Sequence, residues 1–565
     1  MKILKINPFF NLLLFLSIGL VSCSTVKSEV ENANTFFENQ KDSTEIYTKP
    51  KLVVGIVVDQ MRYDYLTRFW ERYGEDGFKR LINEGYNLKN AHYNYMPTYT
   101  APGHASIFTG TTPRYHGVIG NSFYDKTTGE KVVPVENNEV SSLGTEGSEG
   151  ERSPKYLLAS TFGDENRLAT QFKGKTIGIS LKDRGSVLPA GHAANAAYWF
   201  AGGEEGKFVS SSYYMEELPK WVEDFNASGK VDSYLKNWET LYPIETYVES
   251  GPDSTDFEGD IQGRKTFPYN LKKLKEEGKS GYGVFLYTAY GNSITTDFTL
   301  AALEGEELGK DEITDVLTVS YSATDYVGHK FGVNSKEAQD TYLRLDQEIA
   351  KLLKELDKKV GEGEYTVFLT ADHAGVHVPA YLNSKNIPGG YFSTKELRKD
   401  LKKHVEEKYK TEDLISNISN FQVFFDYEKL KEKNIERTEL EKEVYTFMMD
   451  YPKISEVYTR EMIEKGAYHD KIGEKVKNGF HPKRSGDVAY VLAPSEISYS
   501  RQGSTHGSPY TYDTHIPMLF YGKGINKGAS TKEVKIVDIA PTISALLGIS
   551  FPSAATGEVL YEVID

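Results

Sequence analysis

The run from Lys51 to Asp59 constrains the fold of this chain more than any other stretch. It is a continuous series of mainly β-branched apolar residues, Leu52-Val-Val-Gly-Ile-Val-Val58, closed by an acid. Such a run is typical of a strand buried on both faces of a parallel sheet. Ligands bind at the carboxyl ends of the strands in open α/β sheets. Asp59 is therefore a candidate site residue, and the alternative is a loop residue that caps a helix starting near Tyr63.

The same order of elements recurs twice further along the chain. Asp315 to Asp325 is predicted as a strand that ends in an acid, and His329 follows four residues later. Tyr365 to His373 is predicted as a strand that ends in the pair Asp372-His373. Between them, apolar residues recur at helical spacing, at Tyr342, Leu345, Ile349, Leu352, Leu356 and Val360. Strand, helix and strand in this order predict a right-handed crossover in an α/β fold.

Further segments extend this fold class. Strands are predicted within Lys175–Gly185, Ala197–Ala201, Asp487–Ala493 and Met518–Gly522, and a late helix from Val537 to Leu547. Lys182 and Arg184 follow the first of these strands, and in an extended chain two cations one residue apart point the same way. We expect an α/β protein with a large central, mostly parallel sheet flanked by helices.

Two long segments differ from the rest of the chain in composition and in their predicted elements. Residues 205 to about 315 and 380 to about 485 are charged and helix-rich, with few buried strands. We interpret them as insertions that pack over or beside the ligand crevice. No Pro/Gly/Ser linker and no fixed-period repeat sets them apart. Residues 49–565 are therefore predicted to form one catalytic domain with insertions.

The amino terminus carries an export signal. Residues 1–22 combine Lys2 and Lys5 with an apolar stretch that is short for a membrane-spanning helix. The segment ends in Leu20-Val-Ser-Cys23, which resembles a bacterial lipoprotein processing site with Cys23 as the lipidated residue. A plain secretory signal is the alternative. Residues 23–48 are predicted to form a polar, flexible tether. We expect a periplasmic protein that contacts the membrane only through this lipid.

The charge and the cysteine content exclude several classes of protein. The formal net charge is −15 and falls to about −17 once Lys2 and Lys5 are removed, which argues against general nucleic-acid binding. Bound metal ions can still supply the local positive charge that a phosphate needs. Cys23 is the sole cysteine, so an intramolecular disulfide and a cysteine metal cluster are both excluded.

A threonine flanked by two prolines is the candidate nucleophile. In Pro97-Thr-Tyr-Thr-Ala-Pro-Gly-His104 the prolines restrict the backbone around Thr100. A helix is predicted from Gly103 to Phe108, which would put the hydroxyl just before a helix N-terminus, where anions bind. The alternative is that the Thr100 hydroxyl only caps this helix.

Six acids and histidines form a candidate metal constellation. Asp59, Asp325, His329, Asp372 and His373 follow strands, and His506 lies in the Gly/Ser loop Gly503-Ser-Thr-His-Gly-Ser508. Three carboxylates and three imidazoles make two nitrogen and oxygen sites of the kind that zinc prefers. Each residue alone is more often structural, but six at these positions point to two metal ions.

The chain resembles the alkaline phosphatase superfamily, and within it the monomeric, PafA-type phosphomonoesterase branch. The resemblance covers nearly all of the mature chain. It is carried by Val57-Val-Asp-Gln-Met-Arg62, Pro97 to His104, Gly120-Asn121, Leu181-Lys-Asp-Arg184, Thr324-Asp-Tyr-Val-Gly-His329, Ala371-Asp-His373 and Ser504-Thr-His-Gly507.

The resemblance implies a role for each site residue. One Zn²⁺ is held by Asp325, His329 and His506, and the second by Asp59, Asp372 and His373, with the Thr100 oxygen completing its shell. Thr100 is implied to attack phosphorus and form a phosphothreonine that water then hydrolyses. Asn121, Lys182 and Arg184 are implied to bind the phosphoryl oxygens. Because a monoester carries two negative charges there, the two cations favour small phosphate monoesters as substrates.

Three alternatives have different weights. A phosphodiesterase or nucleotide pyrophosphatase would share the metals and the nucleophile, but Lys182 and Arg184 argue against it. An arylsulfatase would need a Cys or Ser in a Cys/Ser-x-Pro-x-Arg context, which this sequence lacks. A non-catalytic protein that binds zinc or phosphate would not need Thr100 as a nucleophile. An ion pair with Asp183 is the structural alternative for the two cations.

Of the other histidines, His104, His116 and His192 are predicted to orient site groups, and His377 and His515 to be structural.

Overall fold

The computed structural model describes residues 48–468 and 470–564. The chain divides into two units, and residues from 49 onward form the second, a compact unit that holds every element described below. The predicted signal peptide, Cys23 and the tether lie outside the described residues except for Thr48 and stay predictions.

The strands, numbered in chain order, are β1 Leu52–Val58, β2 Tyr86–Leu88, β3 Ala91–His92, β4 Phe123–Tyr124, β5 Lys131–Val132, β6 Ser142–Leu143, β7 Thr176–Ser180, β8 Ala196–Ala201, β9 Lys207–Ser211, β10 Asn237–Trp238, β11 Tyr269–Asn270, β12 Asp315–Tyr321, β13 Tyr365–Thr370, β14 Gly390–Tyr391, β15 Ile415–Ser419, β16 Gln422–Phe425, β17 Ile454–Thr459, β18 Val488–Leu492, β19 Glu496–Ile497, β20 His515–Ile516, β21 Met518–Gly522, β22 Gly528–Ser530 and β23 Val534–Lys535.

The α-helices are α1 Asp64–Arg68, α2 Phe78–Glu84, α3 Thr100–Thr109, α4 Pro113–His116, α5 Phe162–Ala169, α6 Asp183–Ala190, α7 Lys220–Ala227, α8 Leu271–Glu277, α9 Ala289–Gly305, α10 Ala323–Phe331, α11 Lys336–Leu356, α12 Pro379–Ser384, α13 Thr394–Tyr409, α14 Tyr427–Glu432, α15 Arg437–Met449, α16 Arg460–Lys465, α17 Lys471–Gly479, α18 Thr511–Thr514 and α19 Ile539–Leu547. Within the described ranges, none of the helices is both long enough and apolar enough to cross a membrane.

A ten-stranded sheet with the strand order β22-β2-β21-β13-β1-β12-β7-β8-β9-β6 forms the centre of the fold. The five strands from β13 to β8 run parallel to one another. Every residue of β1, β12, β13, β7 and β8 is buried. The antiparallel strand β21 extends the sheet next to β13. The predicted α/β class and the mostly parallel sheet are confirmed, because the apolar runs form strands that are covered on both faces.

The long helix α11 connects β12 to β13 as predicted. Its apolar positions Leu345, Ile349, Leu352 and Leu356 are fully buried. The helix continues as one wider turn over Asp357–Gly361. Because β12 and β13 both pair in parallel with β1, this crossover brings all three carboxyl ends to one edge of the sheet.

A second sheet lies mostly between 380 and about 485, the segment that is predicted to be helix-rich with few buried strands. Strands β15, β16, β18 and β17 form a four-stranded antiparallel sheet. Helices α13 and α15 pack on it around a separate hydrophobic core that includes Leu397, Leu401, Val444 and Val488. The strand predicted within Asp487–Ala493 exists as β18, but it belongs to this second sheet. These strands are short and flanked by charged helices, so their burial depends on packing that a local pattern does not display.

Candidate active site

The carboxyl edge of the central sheet gathers the predicted acids. Asp59 follows β1 directly, and Asp372 comes two residues after β13. Asp325 differs from the prediction, since β12 ends at Tyr321 and Asp325 lies in the first turn of α10. In that helix Asp325 and His329 are four residues apart on one face, with His329 Nε2 at 3.2 Å from Asp325 Oδ1.

Lys182 connects two of these acids. Its ammonium donates to Asp59 Oδ2 at 2.6 Å and to Asp325 Oδ2 at 2.5 Å. Burial lowers the pKa of Lys182, but the two carboxylates outweigh burial and raise it above its ordinary value. Burial also opposes ionisation of Asp325, yet His329 and Lys182 hold the pKa of that carboxyl well below its usual range. Each of the two carboxylates thus gives one oxygen to Lys182 and directs its Oδ1 toward the histidines.

The three histidines share one hydrogen-bonding pattern. In each ring, Nδ1 faces a backbone carbonyl: Ser504 at 2.8 Å for His329, Ala374 at 2.9 Å for His373 and Thr98 at 2.6 Å for His506. Carbonyl oxygens only accept hydrogen bonds, so Nδ1 carries the proton and Nε2 presents a lone pair. This is the tautomer that binds a metal through Nε2.

Two groups of potential ligand atoms result. The atoms of Asp59, Asp372 and His373 lie within 4.8 Å of one another, and so do those of Asp325, His373 and His506. Asp59 Oδ1 and Asp372 Oδ2 are buried and have no hydrogen-bond partner in the part of the chain that the structure describes. Burial raises the pKa of both carboxyls above the ordinary value, and lowers that of His373 to about 3. Unpaired buried oxygens beside Nε2 lone pairs fit divalent cations, which neutralise such charge.

The second group differs from the implied ligand set in one member. His373 stacks on His506 with ring centroids 3.4 Å apart, so its Nε2 lies near both groups. His329, which the resemblance places there, stands beside Asp325 but has a side chain that is 24% exposed. The structure therefore gathers all six predicted ligands in one place, with His373 shared between the groups.

Gln60 is a site residue that sequence reasoning missed. Its side-chain Nε2 donates to Asp325 Oδ1 at 2.7 Å, and its backbone N–H donates to Asp372 Oδ1 at 3.1 Å. Its backbone has a φ of 62°, in the left-handed region that few non-glycine residues occupy. Gln60 thereby connects one acid of each group. Its place directly after the β1 acid was the available signal.

Thr100 is the first residue of α3, so the helix begins three residues earlier than predicted. The helix-capping alternative is not supported, because the cap position belongs to Tyr99 and the described residues include no side-chain hydrogen bond that caps α3. The Thr100 hydroxyl lies 3.5 Å from His373 Nε2. The next backbone N–H, of Ala101, donates to Asn121 Oδ1 at 2.8 Å. Thr100 and Asn121 are therefore joined at the N-terminus of one helix.

Lys182 and Arg184 do not share an extended segment, which corrects the prediction. Lys182 precedes α6 and Arg184 is the second residue of that helix. Both line a cleft of about 510 Å³ together with Tyr326. Arg184 Nε is buried without a partner among the described residues, and its Nη1 is 3.6 Å from Asp183. Asp183 also accepts from Arg152 at 2.7 Å. The ion pair with Asp183 therefore involves Arg184 and not Lys182, which pairs with Asp59 and Asp325.

The remaining histidines separate into two kinds. His104 lies at 2.9 Å from the Thr100 carbonyl and 2.8 Å from Ser320 Oγ, as a group that orients the site would. His116 faces Ser106 at 2.9 Å inside the fold. His377 stacks on Tyr381, and His515 stacks on Tyr63, in structural positions.

Two ligand groups beside a hydroxyl, at the carboxyl edge of an α/β sheet, define the site of a metal-dependent hydrolase. Comparisons with known proteins agree. The model of the type I phosphodiesterase / nucleotide pyrophosphatase family matches residues 53–515. A protein of Myroides odoratus named calcium-transporting ATPase is 44% identical over 94% of this chain and 97% of its own. Alkaline phosphatase PafA of Elizabethkingia meningoseptica is 43% identical over 92% of this chain and 96% of its own.

A solved structure extends the match to the fold. The crystal structure of wild-type alkaline phosphatase PafA superposes with a TM-score of 0.88, at 43% identity, and covers 92% of this chain and 99% of that one. The chain therefore belongs to the type I phosphodiesterase / nucleotide pyrophosphatase family and, within it, to the PafA-type alkaline phosphatases. At this level it is a metal-dependent phosphatase.

Proposed function

We propose that this enzyme hydrolyses small phosphate monoesters through a phosphothreonine at Thr100, with two Zn²⁺ per chain. The observation that carries the proposal is the set of Nε2 lone pairs and unpaired carboxylate oxygens that converge beside the Thr100 hydroxyl. Asp59, Asp372 and His373 would hold one ion, and Asp325, His329 and His506 the other. When bound, the ions would compensate the carboxylate charge and favour the alkoxide form of Thr100.

Thr100 and Asn121 supply the nucleophile and its orientation. The Thr100 oxygen would bond to phosphorus as the bond from phosphorus to the alcohol oxygen breaks. Asn121 Oδ1 is occupied by the Ala101 N–H, so its Nδ2 is the end that remains to donate to a phosphoryl oxygen. The position of Thr100 at the start of α3 adds the helix dipole, which favours an anion there. His104 restrains the Thr100 backbone from the other side.

Lys182 and Arg184 would select monoesters. Two of the three Lys182 ammonium hydrogens point to Asp59 and Asp325, and the third is available for a phosphoryl oxygen. Arg184, whose Nε has no partner among the described residues, lines the same cleft. A dianionic monoester gains more from two cations than a monoanionic diester does. The phosphodiesterase alternative is not favoured for this reason.

We also propose that the enzyme acts as a monomer in the bacterial periplasm, held to the membrane by lipid on Cys23. The support is the sequence pattern of residues 1–22 and the polar segment that follows it. Lipidation of Cys23 would appear as an acylated N-terminal peptide, which a Cys23→Ser variant would lack.

The test of the catalytic proposal compares Thr100→Ala with the unaltered enzyme. We expect both proteins to contain about two zinc ions per chain by metal analysis. Only the unaltered enzyme should give a labelled phosphothreonine peptide when the reaction is quenched in acid. Phosphate trapped on a different residue would refute the role of Thr100.

Substrate class is tested with Arg184→Ala, which leaves the hydrogen bonds of the ligand groups in place. It should lower kcat/KM for an aryl phosphate monoester by about 100-fold and for a diester much less. Lys220→Ala, at an exposed lysine, serves as the control and should change neither. Equal losses on both substrates would contradict monoester selection.

A further inference from the structure

The turn between β15 and β16 reaches from the second sheet to the central site. Asn420 and Phe421 connect the two strands and have φ values of 50° and 58°. A two-residue hairpin turn with both φ values positive is normally filled by Asn or Asp and then Gly. A bulky aromatic residue at the second position is unfavourable for the backbone. Backbone strain of this kind persists where the surroundings impose it, often next to functional sites.

The side chain of Asn420 meets the loop that carries Asn121. Its Nδ2 donates to the carbonyl oxygen of Ser122 at 2.6 Å. Asn121, the residue before Ser122, accepts from the Ala101 N–H at the start of α3. One hydrogen bond therefore separates the hairpin turn from a proposed phosphate ligand.

Phe421 fixes the same turn against the nucleophile segment. Its ring stacks on Tyr99, with centroids 6.4 Å apart and planes 20° apart, and meets the Tyr490 ring edge-on at 5.8 Å. Tyr99 directly precedes Thr100 in the chain. The aromatic contact thus holds the turn at the point where Asn420 can reach Ser122.

Two glycines show how closely the turn fits. A Cβ placed on Gly120 would come within 2.7 Å of Asn420 Nδ2, and one on Gly507 within 3.2 Å of Phe421. Gly120 precedes Asn121, and Gly507 follows His506. A side chain at either position would push the turn away from the site backbone.

We propose that Asn420 is a positioning residue for the phosphatase reaction, and that the hairpin turn between β15 and β16 holds Asn121 in place. Asn420 holds the Ser122 carbonyl, which fixes the backbone on one side of Asn121, while the Ala101 N–H fixes its side chain. The amide of Asn121 then keeps its Nδ2 directed toward substrate. The inference rests on the proposed function, because it acts through the role given to Asn121.

Two substitutions of Asn420 separate the hydrogen bond from the backbone. Asn420→Asp keeps the size of the side chain and tolerates the left-handed backbone, but it cannot donate to a carbonyl when ionised. Asn420→Ala removes the donor without adding charge. Asn434→Asp and Asn434→Ala are the matched controls, because Asn434 is exposed in the same region and has a φ of 52°.

The measurement is kcat/KM for an aryl phosphate monoester, in the metal-loaded full chain, alone and combined with Asn121→Ala. We expect each Asn420 substitution to lower kcat/KM by about 10-fold and the controls to leave it unchanged. In the Asn121→Ala background, Asn420→Ala should cause no further loss, because the residue through which it acts is gone.

Each result decides the proposal. An equal loss with and without Asn121 means that Asn420 acts independently of Asn121, and the proposal is overturned. An unchanged rate for Asn420→Ala, with a large loss for Asn121→Ala, overturns this inference and leaves the proposed function intact. If Asn121→Ala itself keeps the full rate, the role of Asn121 fails and this inference fails with it.

Discussion

At the scale of single residues, the sequence identified the candidate metal ligands but not the hydrogen bonds that orient them. Residue type and position after apolar runs were sufficient to select Asp59, Asp372 and His373, and a Gly/Ser loop pointed to His506. The tautomers of His329 and His506 depend on carbonyls from distant segments, those of Ser504 and Thr98. Gln60 was missed for the same reason, since its link between Asp325 and Asp372 is a purely tertiary contact.

Glu258 provides a prediction about pH that is independent of the metal ligands. It is only 2% exposed, its Oε2 has no partner among the described residues, and burial raises its pKa to about 7. The folded state thus favours the protonated carboxyl. The contribution of Glu258 to the free energy of unfolding is fully present below the ordinary pKa of 4.5 and is lost as the pH rises toward 7. Above pH 7 the loss amounts to about 3 kcal/mol.

Glu258→Gln should remove this loss because an amide does not ionise. Urea unfolding at pH 5 and pH 8 should show the variant gaining stability over the unaltered protein at pH 8, and little at pH 5. A gain of the same size at both pH values would contradict the assignment.

At the scale of elements, strand existence was predictable and strand ends were not. The run that leads to Asp325 continues in apolar and small residues past Tyr321, so no local signal marks the change from β12 to α10. The same holds for Lys182 and Arg184, where a helix replaces the expected extended chain. Helix geometry then brings side chains four residues apart, such as Asp325 and His329, into contact, whereas the longer rise per residue of a strand would hold them far apart on the same face.

The close packing of α3 against the Asp372 backbone predicts that Gly103→Ala destabilises the protein. Helix propensity alone predicts that alanine stabilises a helix by about 1 kcal/mol relative to glycine. A Cβ at Gly103, however, would lie 2.3 Å from the Asp372 carbonyl oxygen. We expect the variant to be destabilised by about 1 to 3 kcal/mol, with lower phosphatase activity because Thr100 moves with the helix.

The control for this element is Gly203→Ala, where no heavy atom lies within 4 Å of the added Cβ. Its unfolding free energy should change by less than about 0.5 kcal/mol. Chemical denaturation of both variants checks the pair. A stabilised Gly103→Ala would show that α3 can shift without cost.

At the scale of the whole molecule, the apolar runs predicted the α/β class correctly, but the second hydrophobic core was not anticipated. The central sheet is visible in sequence because its strands are buried on both faces. The second sheet has partly exposed strands such as β17, whose pattern mixes apolar and charged residues. Only the packing of α13 and α15 defines that core.

Metal removal should weaken the entire fold. Asp59 and Asp372 are fully buried, and burial and then the Asp59 charge raise the pKa of the Asp372 carboxyl well above its ordinary value. A ligand present at 1,000 times its Kd contributes about 4 kcal/mol, so we expect chelation with EDTA to lower Tm by about 5 °C or more. Calorimetry with EDTA, with EDTA followed by excess Zn²⁺, and with zinc-loaded EDTA as the control checks this. An unchanged Tm would show that the ions do not bind the folded chain.

The hydrogen bond between His506 and the Thr98 carbonyl has a consequence for the order in which the protein is made. These residues are 408 positions apart, and Gln60 and Asp372 are 312 apart. Contacts of such separation form late in folding, because long loops must close first. A nascent chain that ends before His506 therefore lacks one of the six candidate metal ligands. On the proposed ligand set, hydrolysis requires contacts that form only after most of the chain has been made.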